Sequence, residues 1–239
     1  MALAMKRFLI SLLSSTVCMA ASPDSFTRPI PSIRQVNPAF TGEGRTLCGP
    51  TSAADVITYL WKDGYSNFHA GNQAALVNEL AKIMCAGSDG VSGSNFIFGL
   101  SHYIENKGYK ATFELSGIKI DSDGVAQVDP PDLEKAKLDI SMGKFVFLEL
   151  GLVALTLDGY KSRGGHWVVL SGYNKANIII NDPTFGSIYP SRVQYLKKTI
   201  FPYKGQNINT ERFLGITDSP RKLLPVIAAI VTMDIKPPQ

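Results

Sequence analysis

Cys48-Gly49-Pro50-Thr51-Ser52 opens a segment whose apolar residues Ala53, Val56, Ile57 and Leu60 recur at the i, i+3, i+4, i+7 spacing of a helix with one buried face. Pro50 suits the first helical turn, because the amide hydrogen it lacks would have had no intrahelical partner there. The small residues Gly49, Thr51, Ser52, Ala53 and Ala54 fit a helix start that packs closely and leaves a thiol reachable. Far downstream, Gly164-Gly165-His166-Trp167-Val168-Val169 places a histidine on an apolar strand, and Asn181-Asp182-Pro183 places an acid at the abrupt end of the next. A cysteine at a helix start, a histidine on a strand and an acid on the neighbouring strand are the parts of an activated thiolate nucleophile.

Working outward, two further helices are expected on the N-terminal side. Residues 73–84 would bury Ala74, Leu76, Val77, Leu80 and Ile83 behind Asn72 as cap, and residues 94–107 would bury Ile97, Leu100 and Ile104 before Gly108 as stop. After Gly108 the pattern turns to strands at 110–115, 145–153, 166–173 and 178–181, with one helix at 130–142 capped by Asp129 and ended by Gly143. The short turn 174–177 makes the strands that carry His166 and Asp182 antiparallel neighbours. Residues 193–197 and 223–233 are expected strands around a polar loop at 205–212, and 22–44 is expected to run over the surface. The class is therefore α+β, with N-terminal helices packed on a C-terminal antiparallel sheet and no internal repeat.

The first 20 of the 239 residues read as an export signal: Lys6-Arg7, an apolar run from Phe8 to Val17, then the small-residue site Cys18-Met19-Ala20. That run is too short to span a bilayer comfortably. The formal charge of +4 includes Lys6 and Arg7, which leaves about +2 on the mature chain, and no basic run interleaved with aromatics suggests nucleic acid. The apolar run at 223–230 contains Pro225 and reads as a buried strand. No two histidines and no histidine-cysteine pair stand at ligand spacing, so neither a metal nor an organic cofactor is expected.

Each site residue has a competing reading. The mature chain keeps only Cys48 and Cys85, which in an oxidising compartment would also fit one disulfide, and Cys85 ends a helix pattern where a core cysteine is ordinary. A lone histidine on an apolar strand is also compatible with a core residue, but the two glycines before His166 permit close approach of a substrate or another backbone. His69 lies in a Gly/Asn-rich connection and His102 between the apolar positions of its helix. In the chemical reading, His166 and the positive end of the helix lower the Cys48 pKa, His166 protonates the leaving group, and Asp182 orients the imidazole. The Cys48 backbone N–H and the Gln35 side-chain amide are the candidate oxyanion donors; Gln35 competes with a solvated loop residue. Trp167 either shields the His166–Asp182 bond or belongs to the core. Asp55 is placed on the polar side of its helix with no role.

Cys-Gly-Pro-Thr-Ser at 48–52, Gly-His-Trp-Val-Val at 165–169, Gly172-Tyr173 and Asp182-Pro183 together resemble the bacteriocin-processing-like (double-glycine-peptidase-like) peptidases, cysteine peptidase family thirty-nine of the papain superfamily. The resemblance implies a papain-like fold over one domain, 21–239, and a Cys-His-Asp triad falling on Cys48, His166 and Asp182. It also implies a glutamine lining the oxyanion hole upstream of the cysteine. Gln35 takes that place only if 37–47 forms a longer loop than is usual in the family. The best-known members are fused to a transporter and cut leader peptides after a double glycine; this sequence has no transporter segment, so that substrate does not carry over.

The expectation is a bacterial thiol hydrolase, exported to the periplasm or secreted, cutting a peptide or isopeptide bond through an acyl-enzyme. Peptide or protein substrates are its expected partners, with no stable membrane insertion. An amidase or acyltransferase on the same scaffold, and a noncatalytic module with Cys48 and Cys85 oxidised together, are the alternatives. Specificity is expected in loops at 154–163 and 205–212.

Overall fold

The computed structural model describes residues 23–42, 44–120, 126–157, 159–196, 200–203, 206–209 and 212–236. The proposed export signal at 1–20 lies outside them. A short strand β1 (Phe26–Thr27) is followed by helices α1 (Cys48–Lys62), α2 (Gln73–Ile83) and α3 (Gly93–Asn106). Strands β2 (Ala111–Ile120) and β3 (Ala126–Asp129), helix α4 (Leu133–Ser141), and strands β4 (Phe145–Thr156), β5 (Gly159–Tyr173), β6 (Ile178–Asp182) and β7 (Ser187–Ser191) come next. The remainder is β8 (Val193–Tyr195), β9 (Ile200–Tyr203), β10 (Gln206–Asn209), β11 (Leu214–Ile216) and β12 (Leu224–Ile235).

The main sheet runs β3-β2-β12-β4-β5-β6-β7, antiparallel at every step. Its last strand in sequence, β12, lies between β2 and β4, where both faces are covered, and this is why 224–235 is apolar almost throughout rather than alternating. The other central strands alternate. Phe145, Phe147, Trp167 and Val169 face the core shared with α1, α2 and α3, whereas Val146, Leu148, Leu150, Val168 and Leu170 face the core that contains Leu133, Ala136 and Ile140 of α4.

The helices begin where local chemistry allows. Asn72 caps α2 by accepting from Ala75 N–H, and Ser92 caps α3 by accepting from Asn95 N–H. Helix α4 starts later than expected, at Leu133, because consecutive prolines 130 and 131 hold the chain extended; its cap is Asp132, not Asp129. Gly143 follows α4 at φ +96, the left-handed conformation that ends a helix.

Three expected loops are ordered structure. Residues 154–156 and 159–163 continue β4 and β5 as a long antiparallel pair, with Thr156 paired to Gly159, and 206–209 pairs antiparallel with 200–203. The stretch 22–44 runs over the surface as expected, with most of 23–42 exposed, but it is also anchored at isolated points. β1 pairs with Gly172 and Tyr173 of β5, Ile30 and Ile33 are buried, and Arg28 donates to Lys144 O (2.8 Å) and Ile140 O (3.3 Å) at the end of α4. Its proline-rich composition hid that role, since no periodic pattern marks a strap held by isolated side chains. Cys85 is exposed at φ +52 just past α2, not in the core. Asp55 is fully buried, because its face of α1 lies under the strap and β6.

Among the described residues, no helix is long and apolar enough to cross a membrane.

Candidate active site

Helix α1 begins at Cys48 itself, and its first turn is packed against β5. Ser52 Oγ donates to Trp167 O (3.1 Å), and a methyl at Gly49 would stand in ordinary van der Waals contact with the Trp167 ring at 3.4 Å. Trp167 in turn stacks on Phe96 of α3 at 4.3 Å and donates from Nε1 to Val91 O (3.0 Å). It is a core residue that fixes α1 and α3 on the sheet.

His166, one residue earlier on β5, alternates to the other side and is 4 % exposed. Its Nε2 lies 2.8 Å from Asp182 Oδ1, across the antiparallel β5–β6 pair. Asp182 accepts and does not donate when ionised, so Nε2 carries the proton and Nδ1 is left for another partner. Cys48 is the neighbour on that side, close enough that its thiol and the His166 ring draw each other towards their charged forms. The structure thus brings together Cys48, His166 and Asp182, residues 118 positions apart at the extremes of the first pair.

The electrostatics follow from burial and partners. Burial pushes the Cys48 thiol up, but the His166 hydrogen bond and charge, aided by the N–H groups of Trp167 and Gly49, bring it below the ordinary thiol value. Burial pushes His166 down, and its bonds to Asp182 and Cys48 carry it above the ordinary imidazole value. Burial pushes Asp182 up, and His166 and Arg221 hold it well below the usual carboxylate range. Thiolate and imidazolium therefore favour each other in one buried site.

Gln35 is buried at the edge of this group. Its backbone N–H donates to Pro183 O (2.8 Å), and its side-chain Nε2 donates to Gly44 O (2.9 Å) and Arg45 O (3.3 Å) in the turn before Cys48. Both amide hydrogens are engaged on that turn. His69 and His102 lie elsewhere: His69 ends a short 3-10 turn at φ +47, and exposed His102 bonds Asn106 at 3.0 Å.

Three residues around Asp182 were not anticipated. Thr184 N–H donates to Asp182 Oδ1 (2.9 Å), Tyr189 Oη donates to Asp182 Oδ2 (2.8 Å), and Arg221 Nη2 donates to both carboxylate oxygens (2.9 and 2.8 Å). The Asp-Pro-Thr order carried a usable sign of the first, since an aspartate side chain commonly bonds the N–H two residues on. Arg221 carried none: it stands beside Lys222 in an irregular segment, 39 positions from its partner.

Cys48 and Cys85 are both free thiols, so the disulfide expected of a noncatalytic module is not formed. Among the described residues, no group of three or more His, Cys, Asp and Glu is arranged to hold a metal ion.

The model of the Peptidase_C39 like family matches residues 27–202, which include Gln35, Cys48, His166 and Asp182. The chain belongs to this family. It is accordingly a C39-like cysteine peptidase by descent, a hydrolase family that acts on peptides. A crystal structure of a C39-like peptidase candidate from Bacillus anthracis is 17% identical, with a TM-score of 0.41 over 68% of this chain and 85% of that one. Among curated proteins, none matches the chain in sequence.

Proposed function

We propose that the protein is an exported thiol peptidase with a papain-like site, in which Cys48 is the nucleophile, His166 the proton shuttle and Asp182 the residue that orients His166. The observation that carries this reading is the position of His166, with Nε2 on Asp182 at 2.8 Å and the ring beside the Cys48 thiol, each of the two favouring the other's charged form. A structural histidine in a core needs one partner; one held between a carboxylate and a thiol at a helix start is poised for proton transfer.

In the first step the Cys48 thiolate attacks the scissile carbonyl carbon, and a C–S bond forms as the carbonyl π pair moves to oxygen. The oxyanion meets the Cys48 N–H, which lies in the first turn of α1. Gln35 joins it if its amide leaves Arg45 O, the longer of its two bonds. The His166 imidazolium then gives its proton to the leaving nitrogen, the C–N bond breaks and a thioester remains. Water, deprotonated by His166, attacks the thioester; the C–S bond breaks, and the acid product leaves with the thiolate and imidazolium restored.

The export reading rests on the Lys6-Arg7 start and the apolar run that follows it. The substrate is a peptide or isopeptide bond; an amidase would release the same acyl group to water from another amide, and an acyltransferase would pass it to an amine.

Labelling with an iodoacetamide-type probe from about pH 4 to about pH 9, resolved by peptide so that exposed Cys85 is scored separately, tests the reading. Rapid labelling of Cys48 well below the ordinary thiol range, abolished in Cys48→Ala and slowed in His166→Ala, is the expected result. Labelling of Cys48 only at the pH of an ordinary thiol, whatever stands at position 166, would overturn it. A peptide library with and without a primary amine then separates hydrolysis from transfer.

A further inference from the structure

Arg221 lies between β11 and β12, outside the stretch matched to the family, yet its guanidinium reaches the centre of the site. Its side chain is 13% exposed and its guanidinium lies 5.2 Å from the centroid of the Phe185 ring. A single nitrogen, Nη2, lies 2.9 and 2.8 Å from the two oxygens of Asp182 and 2.8 Å from Thr184 Oγ1. We propose that Arg221 is a positioning residue of this site: through Asp182 it sets the charge balance at His166, and through Thr184 it orients Gln35. The proposal rests on the peptidase reading above.

The direction of the second arm follows from donors and acceptors alone. A guanidinium has no acceptor, so Thr184 Oγ1 must accept from Arg221, and its one hydrogen is left to donate. Two atoms are in reach, Gln35 Oε1 at 3.3 Å and His166 Nε2 at 3.4 Å. His166 Nε2 already carries a proton for Asp182, so Gln35 Oε1 is the acceptor. With its oxygen taken, the Gln35 amide turns its NH2 to Gly44 O and Arg45 O, the turn that delivers Cys48. One chain of bonds thus runs from Arg221 through Thr184 and Gln35 to the approach of the nucleophile.

The first arm is electrostatic. His166 and Arg221 share Asp182 Oδ1, so a fixed cation faces the imidazole across one carboxylate oxygen. The other groups facing this pair are Cys48 from α1 and Tyr189 from β7, the latter donating its hydroxyl to Asp182 Oδ2. A lone carboxylate would hold the imidazolium to high pH; a carboxylate already paired with a guanidinium holds it less. Arg221 thereby keeps Asp182 ionised and in place while leaving His166 able to give up its proton. Lysine would keep the charge, but its flexible stem would lack the flat guanidinium's seat against the Phe185 ring that fixes the donor over Asp182 and Thr184.

The test is an NMR titration of the whole chain labelled in histidine and glutamine side chains, for the wild type, Arg221→Gln and Arg221→Lys. In Arg221→Gln the His166 titration moves up by about one pH unit. The Gln35 amide hydrogens exchange with solvent about tenfold faster than in the wild type. In Arg221→Lys the titration stays near that of the wild type while the Gln35 exchange is again faster. A folded Arg221→Gln with an unchanged His166 titration and unchanged Gln35 exchange overturns the proposal, and so does failure of both variants to fold, which would make Arg221 scaffold only. If wild-type Cys48 shows no His166-dependent labelling, the peptidase reading itself has failed, and that outcome is separate because it involves no change at Arg221.

Discussion

Asn181 on β6 donates its side-chain amide to Asp55 Oδ2 (3.3 Å) in the middle of α1. The contact joins the strand that ends in Asp182 to the helix that begins at Cys48. Asp55 Oδ1 also accepts from Ile33 N–H (2.8 Å), and Asn181 donates to Pro31 O (2.7 Å), so the same two side chains clamp the N-terminal strap. Helix, strand and strap are registered by one buried carboxyl.

This clamp makes stability depend on pH. Burial raises the Asp55 pKa well above its ordinary value, and the Ile33 N–H only partly opposes it. A raised folded-state pKa means the folded chain binds the proton more tightly than the unfolded one. The resulting stability is fully present below the unfolded carboxyl range and is lost as pH rises through the folded value. Urea unfolding of the wild type and Asp55→Asn should therefore show an advantage of the wild type that is larger near pH 4 than near pH 8. A difference independent of pH would show that Asp55 does not titrate in the folded range.

Asp182→Asn should lower kcat/KM by about 10⁴-fold with the chain still folded, because the amide favours the wrong tautomer of His166 and removes the charge that stabilises its imidazolium. The Asp182 pKa is depressed by His166 and Arg221 against the effect of burial, so its share of stability is present above the usual carboxylate range and lost only as pH falls through the depressed value. Steady-state kinetics on a cleaved peptide, with acid unfolding followed by circular dichroism, check both parts.

Gly172 is the point at which the strap passes β5. A methyl there would meet Phe26 O at 2.5 Å and Thr27 Cα at 3.0 Å, both backbone atoms that cannot swing aside. Gly172→Ala should destabilise the protein by about 2–3 kcal/mol and expose the strap to proteolysis around β1. Denaturant unfolding and limited proteolysis read these out; a neutral substitution would mean that β1 is not held as the structure has it.

Trp167→Phe keeps an aromatic ring on Phe96 but leaves Val91 O without the Nε1–H donor. A loss of about 1–3 kcal/mol is expected. The labelling profile of Cys48 should change little, since the Trp167 backbone N–H near the sulfur is retained. A large shift of that profile would mean that the indole positions α1 within the site itself.

The helical half of the fold was legible because its information is local. Asn72, the 3.6-residue spacing in α1 and α2, and Gly108 act within a turn or two of chain, and they foretold the helices to within a residue or two. The Asn174 turn likewise predicted the pairing of β5 with β6, since its side chain accepts from the N–H groups of Ala176 and Asn177. Residues 154–163 and 206–209 were read as loops because their strands are stabilised by neighbours in the sheet or hairpin, not by an alternating pattern of their own.

By itself, the sequence determined which residues start and stop the helices, which strands adjoin at short turns, and that Cys48, His166 and Asp182 have the chemical types of an activated thiol site. These are set by backbone sterics and side-chain chemistry over a few residues. Only the tertiary structure decided that Asp55 is a buried clamp, that the proline-rich strap is stitched into the site, that Gln35 faces Gly44 and Arg45, and that Arg221 stands on Asp182. Each of these depends on a desolvated contact between distant segments, whose sign is fixed by what surrounds the residue rather than by what precedes and follows it in the chain.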